Sequence, residues 1–320
     1  MGASGRLTPP LSAGPLPLFA SGVASRVLET LRWEQQPRLR RPLLVAAFEG
    51  WNDAGDAATL AVRYLAETWS ARKFAAIDPE EFYDFTVTRP QVKLADGVTR
   101  RIEWPANELW AASVPGTGRD VVFLRGVEPQ LKWRTFCETV VGAARTVGTE
   151  LAITLGALLA DVPHTRPVHV TGTAHEPELA SRLGLQRSRY EGPTGIVGVL
   201  HDACNTVGMP SASLWAAVPH YIHQVPSPKA ALALVERTAA LVGGRVNPVE
   251  LKVAADTYER EVSEHVANDA DAAAYVAELE DADDHQPQED HDGGPLTLPS
   301  PDALAAEVER YLRDQPDSPS

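Results

Sequence analysis

Apolar and polar residues fall into blocks along most of this chain, and the period of the pattern changes from block to block. Leu43 to Phe48 is an unbroken apolar run bounded by Pro42 and Gly50, the pattern of a strand buried on both faces. Directly after it, Ala57, Leu60, Ala61, Tyr64, Leu65 and Thr68 share one face at helical spacing. Asp120 introduces Val121-Val-Phe-Leu124, a four-residue strand that stops at Arg125-Gly126. Trp133, Phe136, Cys137, Val140, Val141, Ala144 and Val147 return to the helical period, and Leu151 to Leu155 is a further strand ending in Gly156. The pattern then predicts a strand over Val168–Thr171 and a helix near Pro177–Leu183. A helix opened by Gly192-Pro-Thr-Gly195 runs to about Val207, followed by a strand over Ser211–Val218 and a helix over Ser227–Val242. Strands alternating with helices in this way predict an α/β fold with a mostly parallel sheet covered on both faces.

Elsewhere the pattern is weaker. Phe82–Thr88 and Thr99–Trp104 read as two short strands flanking the turn Ala95-Asp-Gly97, a hairpin. Met1 to about Gln36 is rich in Pro, Ser, Gly and Ala and reads as a mobile tail with a short helix around Val23–Trp33, so folding is expected to start near Leu39. After Gly243-Gly244, Tyr258, Val262, Val266, Ala273, Tyr275, Val276 and Leu279 predict one or two amphipathic helices with an acidic outer face. Asp281 to Gly294 reads as a flexible acidic linker, and Leu304, Val308, Tyr311 and Leu312 mark a last short helix before a fraying end. A helix that short is marginal alone and must dock on its own body or on a neighbour. The expected division is a tail over 1–38, an α/β domain over 39–245, an acidic helical appendage over 246–313 with a linker near 281–299, and a tail over 314–320.

Composition narrows the function. The net charge of −14 opposes binding to a phosphate backbone, and Arg38, Arg40 and Arg41 form only a short solvated lead-in to the first strand. Nucleic acid is therefore not an expected partner. No apolar run reaches the roughly 18–20 residues of a membrane span, and Pro9, Pro10, Pro15 and Pro17 spoil any signal-peptide core. A cytoplasmic location is expected. The two cysteines, Cys137 and Cys204, each sit alone in a helical pattern and read as buried free thiols.

The stretch Glu49-Gly-Trp-Asn-Asp-Ala-Gly-Asp56 joins the first strand to its helix, where open α/β sheets carry function. Such a loop invites a phosphate at the helix N-terminus, but Glu49, Asp53 and Asp56 place negative charge there and no lysine answers it. A divalent cation suits carboxylates chemically, yet the spacing matches no calcium loop. Asn52 or Asp53 as a helix cap, with the glycines permitting the turn, is the plainer reading. Neither a cofactor nor a metal is expected.

Other candidates are thinner. Gly192-Pro-Thr-Gly-Ile-Val-Gly198 lacks dinucleotide spacing and reads as close helix–sheet approach. His220 and His223 read as loop or hydrogen-bonded structural histidines. His164, after a strand, is a lone candidate for acid–base work facing the same crevice as Glu49. Serine-nucleophile motifs are absent from the sequence.

Several segments together resemble one family. Phe48-Glu-Gly-Trp-Asn-Asp-Ala-Gly-Asp-Ala-Ala-Thr59 is similar to the signature of the PAC2 (proteasome assembly chaperone 2) family in its actinobacterial form. In order, Leu124-Arg-Gly-Val-Glu-Pro129 with Trp133, Leu158-Leu-Ala-Asp-Val-Pro-His-Thr-Arg-Pro167, Gly192-Pro-Thr-Gly195, Ser213-Leu-Trp-Ala-Ala-Val-Pro-His-Tyr221 and Leu304-Ala-Ala-Glu-Val-Glu-Arg-Tyr-Leu312 agree with it. The resemblance covers about Leu39 to Arg313. It implies a three-layer, phosphorylase-like α/β body with a C-terminal helical appendage, and self-association, as trimers in bacterial members. Better-studied relatives bind proteasome α-subunits and have no agreed catalytic residues. Some dock through a C-terminal hydrophobic-Tyr-any tripeptide; this sequence ends Asp317-Ser-Pro-Ser320 and Tyr311 lies too far inside.

Two functions follow as expectations. The first is a non-enzymatic interaction factor acting as a homo-oligomer, with proteasome α-subunits as partners and Trp51 as an anchor at an interface. The second is an enzyme, a nucleoside or phosphoester hydrolase or a nucleotide-dependent ligase. Its crevice at the strand ends would be lined by Glu49, Asn52, Asp53, Arg125, Glu128, His164 and Thr194.

Overall fold

The structure, a computed structural model, describes residues 30–174, 176–187 and 191–285. In chain order the strands are Leu31–Trp33 (β1), Leu43–Glu49 (β2), Arg72–Ile77 (β3), Gln91–Ala95 (β4), Thr99–Glu103 (β5) and Asn107–Val114 (β6). Arg119–Val127 (β7), Leu151–Ala160 (β8), Val170–Ala174 (β9), Gln186–Arg187 (β10) and Ser211–Pro219 (β11) follow. The helices are Ala57–Thr68 (α1), Trp133–Thr146 (α2), Pro177–Leu183 (α3), Ile196–Thr206 (α4), Pro228–Val242 (α5), Val249–Ala267 (α6) and Ala270–His285 (α7).

The buried run of β2 shows why the sheet has two covered faces. Successive side chains of a strand point to opposite sides. Leu43, Val45 and Ala47 enter one core with Ala57, Ala61 and Leu65 of α1 and Ala230, Leu234 and Val235 of α5. Leu44, Ala46 and Phe48 enter the other with Phe136, Val140 and Val141 of α2 and Ile196 and Leu200 of α4. Phe136 anchors that second layer, edge-on to Phe48 at 5.9 Å and to Phe82 at 5.3 Å. The result is a three-layer α/β sandwich.

Nine strands lie in the order β1-β3-β6-β7-β2-β8-β11-β9-β10. Parallel pairing occupies the centre, β7-β2-β8-β11, and recurs at β9-β10. One wing, β1-β3-β6, joins β7 antiparallel throughout, and β9 joins β11 antiparallel. The parallel character is thus confined mainly to the middle. Strands β3 and β6 have no expected counterpart, because Arg72, Lys73 and Glu108 interrupt their apolar pattern; Lys73 and Glu108 meet across the strands at 2.8 Å.

Several expectations are corrected. Phe82–Thr88 is not a strand: the Asp84 carboxylate accepts the Thr86 N–H at 2.8 Å, and its carbonyl accepts those of Val87 and Thr88, curling the chain. The hairpin keeps the predicted turn, with Asp96 and Gly97 both left-handed, but its first strand is β4. Folding begins before Leu39, since β1 pairs with β3 and Trp33 packs on Phe74 at 5.7 Å. Strand β1 also takes the end of the helix expected over Val23–Trp33, whose earlier part lies outside the described residues. Helix α7 runs through Asp281 to His285, where the linker was expected to have begun. The rest of that linker, the helix around Leu304–Leu312 and both tails lie outside the described residues. Among the described residues no helix is long and apolar enough to cross a membrane.

Candidate functional site

Strand β2 is followed by α1 on one face of the sheet and its neighbour β7 by α2 on the other. Connections that part in this way open a crevice at the carboxyl ends of the two strands, where α/β sheets take ligands. The Glu49–Asp56 loop crosses that crevice, and its side chains bind the neighbouring elements.

Asn52 and Asp53 are buried. Their backbone continues the sheet: the Asn52 carbonyl accepts the Ala157 N–H at 2.8 Å, and Asp53 bridges Ala157 of β8 in parallel. The Asp53 carboxylate then caps α1. Its Oδ1 accepts the N–H of Ala58 at 2.7 Å and of Thr59 at 3.2 Å, and its Oδ2 accepts the Thr59 hydroxyl. Burial dominates these bonds and pushes the Asp53 carboxyl up to about 6, with a further small push from the Asp56 charge. Asp56 itself is exposed and left-handed, with φ of 51°.

Glu128, in the turn after β7, is the second hub. Its carboxylate accepts the N–H of Ile196 at 2.7 Å, the Asn52 side-chain amide at 3.2 Å and the backbone N–H of Trp51. Ile196 is the first residue of α4, so Glu128 sits on that helix N-terminus and meets its positive end. Burial raises its carboxyl above the usual range against these three donors. Gly195 makes the approach feasible: a Cβ there would lie 2.2 Å from the Asn52 amide nitrogen and 2.8 Å from Glu128 Oε1. Gly55 does the same on the other side, its carbonyl accepting the Ser227 N–H at 2.7 Å at the start of α5. A Cβ on Gly55 would come within 2.9 Å of the Ser227 Cβ, and its φ of +58° disfavours any side chain.

The remaining expected site residues spread out. Glu49 is exposed at the end of β2, Trp51 is half-buried, and Thr194 is exposed with its hydroxyl near the Gly195 carbonyl at 3.5 Å. Arg125 is half-buried on β7, in register with Ala47 and Glu108. Tyr83 and Asn107 are the residues that sequence reasoning missed. The Tyr83 hydroxyl donates to the Val127 carbonyl at 2.6 Å and accepts from the Asn107 amide. Burial, with the charges of Glu49 and Glu128 nearby, holds that hydroxyl well above its usual pKa. Nothing in their local pattern announces them, because they lie in the turn and the strand that the periodicity did not resolve.

His164 does not join this crevice, which corrects the expectation for it. It is buried between Tyr221 and Ser263, with Nδ1 2.9 Å from the Tyr221 hydroxyl and Nε2 3.0 Å from the Ser263 hydroxyl. Its carbonyl accepts Lys229 Nζ at 2.5 Å, and that ammonium pairs with Glu259. Burial and the Lys229 charge lower its pKa, while Glu259 and Glu280 pull the other way. This histidine fastens the turn after β8 to α5 and α6. Polar contacts continue along α7, from Thr165 to Glu280, Arg166 to Asp284 at 2.7 Å and Tyr275 to Asp161 at 3.2 Å. The His223 Nδ1–H donates to the His220 carbonyl at 3.0 Å. Among the described residues no group of three His, Cys, Asp or Glu is arranged to hold a metal ion. Cys137 and Cys204 are free and buried, and burial pushes the Cys204 thiol up to about 12.

Residues 47–266 match the model of the PAC2 family. A PAC2 family protein from Streptomyces avermitilis is 48% identical with a TM-score of 0.69, the match covering 73% of this chain and 99% of the other. A Mycobacterium tuberculosis protein described as a proteasome-assembly chaperone homologue is 47% identical with a TM-score of 0.67, over the same shares of each chain. Pyrococcus furiosus PbaB, an archaeal proteasome activator, shares the fold at 17% identity, with a TM-score of 0.60 over 73% of this chain and 97% of its own. No curated protein matches. The match spans the loop of Asn52 and Asp53, the Glu128 turn and the α4 N-terminus that close on one another, and the chain belongs to the PAC2 family.

Proposed function

We propose that this chain is a non-enzymatic protein-interaction factor of the proteasome-assembly-chaperone kind, working in the cytoplasm as an assembly of its own copies. The observation that carries this reading is the Glu128 carboxylate on the N-terminus of α4. That helix end, beside the crevice, is where a sheet of this topology would hold an anionic substrate. Here the protein supplies the anion itself, and Asn52 packs against the same turn. Support also comes from the Mycobacterium tuberculosis relative, described as a proteasome-assembly chaperone homologue. Partner binding is then a matter of exposed surface, and proteasome α-subunits are the partners to try.

The test is direct binding of the purified full chain to isolated proteasome α-subunits and to the assembled particle. Saturable binding to α-subunits is expected. Absence of binding to either form would overturn the proteasome assignment. One observation favours the enzymatic alternative: the Tyr83 hydroxyl lies within reach of the Glu49 and Glu128 charges at the strand ends, with Glu49 open to solvent. A thermal-shift screen with nucleotides, nucleosides and divalent ions addresses it, because a ligand bound only by the folded state raises Tm.

A further inference from the structure

The hairpin of β4 and β5 stands apart from the sandwich. Nine of its ten strand residues are exposed, and a lone two-stranded hairpin is marginal in water. Its register sorts the side chains sharply. Val92 lies opposite Ile102 and Leu94 opposite Arg100, so these four share one face. Lys93, Arg101 and Glu103 share the other. Val92, Leu94 and Ile102 are 62%, 60% and 54% exposed, with Val98 at the tip and Trp104 at the base also exposed. This is an apolar surface with a basic edge, on a chain whose net charge is −14. Lys93 is paired with Glu103, but Arg100 and Arg101 have no ion-pair partner among the described residues.

A complementary surface lies on the outer side of α6. Leu251, Ala255, Tyr258 and Val262 face inward. Val249 and Val253, one turn apart, are 55% and 60% exposed and form a short apolar stripe. Glu250 and Asp256 flank Val253 at three-residue spacing on either side. Helices α6 and α7 carry eleven carboxylates against two cations, Lys252 and Arg260, and Lys252 is bound to Glu236 at 3.2 Å. The apolar stripe thus has an acidic edge.

We propose that the β4–β5 hairpin of one copy docks on the outer face of α6 of a second copy. The proposal rests on the self-association in the reading above and names its surfaces. Val92, Leu94 and Ile102 cover Val249 and Val253, and Arg100, on the same hairpin face, meets Glu250 and Asp256. The two patches differ, so the contact is head-to-tail, and such contacts close into rings when the rotation between copies permits. The opposite signs of the edges favour this pairing over hairpin on hairpin, which would set arginines against arginines.

Sedimentation velocity of the full chain tests it. The wild type is expected to sediment as a multiple of the 34.5 kDa chain. Leu94→Glu with Ile102→Glu, and separately Val249→Arg with Val253→Arg, should each give single chains with unchanged circular dichroism. Mixing the two variants should restore a particle of at least two chains, because each retains the patch the other lacks. Should either double variant misfold, Arg100→Glu alone is expected to weaken self-association roughly tenfold, and Asp256→Arg in the same chain to recover it. A wild type that sediments as a single chain overturns the contact and the self-association it rests on; if that chain still binds α-subunits, the partner assignment stands. An α6 variant that stays assembled, or a mixture that stays monomeric, also overturns the contact. Loss of α-subunit binding from the hairpin variant with self-association intact would assign the hairpin to that other protein and overturn the contact as well.

Discussion

Two stretches of this protein look chemically active, and they differ in what they have left to offer. The Glu49–Asp56 loop carries conspicuous residues, yet its buried members are spent on the fold. Asp53 holds α1, the Asn52 backbone extends β8, and the Trp51 N–H and Asn52 amide feed Glu128, which holds α4. The β4–β5 hairpin is plain in sequence, yet Val92, Leu94 and Ile102 stand in solvent and two arginines lack ion-pair partners among the described residues. The lesson is that dense polar chemistry at a strand end can be architecture. An uncovered apolar face is the stronger pointer to a partner.

Mutations can break this comparison, and the largest effect is expected in the loop. Asp53→Ala removes the cap of α1 and strands two buried N–H groups and the Thr59 hydroxyl, at a cost of about 2–4 kcal/mol in denaturant unfolding. Gly195→Ala forces a methyl against the Asn52 amide and Glu128 and should cost about 1–3 kcal/mol, through overpacking alone, since the Gly195 backbone is extended. Glu128→Ala leaves the α4 N-terminus without its anion. Added acetate or formate should then raise the variant's Tm while leaving the wild type unmoved. Smallest of all, Leu94→Glu should change the stability of the dilute single chain by no more than about 0.5 kcal/mol. Equal costs in loop and hairpin would erase the distinction.

Titration sharpens the same contrast. Burial raises the Asp53 carboxyl to about 6, above the ordinary aspartate value of about 4, so between those values the folded state holds a proton that the unfolded state releases. Its contribution to stability is full below about pH 4 and is lost as pH rises through 6. Asp53→Asn keeps an acceptor for the N–H groups and a donor for Thr59, and should flatten that part of the Tm–pH curve. His164 runs the opposite way. Its pKa is lowered, so its contribution falls away as pH drops below the unfolded value, loosening the hold on α5 and α6.

Much of the fold is legible in the chain itself. The double-sided apolar run of β2 and the helical spacing of Phe136, Cys137, Val140 and Val141 require no tertiary knowledge to read. Strands β3 and β6 escape because Lys73 and Glu108 satisfy each other across the sheet, a pairing that no local window contains. At the site, Asp53 as a cap is readable from its position before a helix. Glu128 on α4 and Tyr83 beside Asn107 are not, since each joins residues tens of positions apart. His164 shows the converse error. A histidine after a strand end suggests the crevice, but the turn carries it under α6, where Tyr221 and Ser263 take both ring nitrogens.

The claim that the loop is architecture and the hairpin is interface is tested most directly by amide hydrogen exchange. The full chain would be compared at concentrations above and below its assembly, alongside the Leu94→Glu, Ile102→Glu variant. Protection that appears with assembly is expected in peptides covering 91–103 and the start of α6, with residues 49–59 and 195–200 equally protected in every sample. Protection that changes at 49–59 while the hairpin exchanges freely throughout would contradict it.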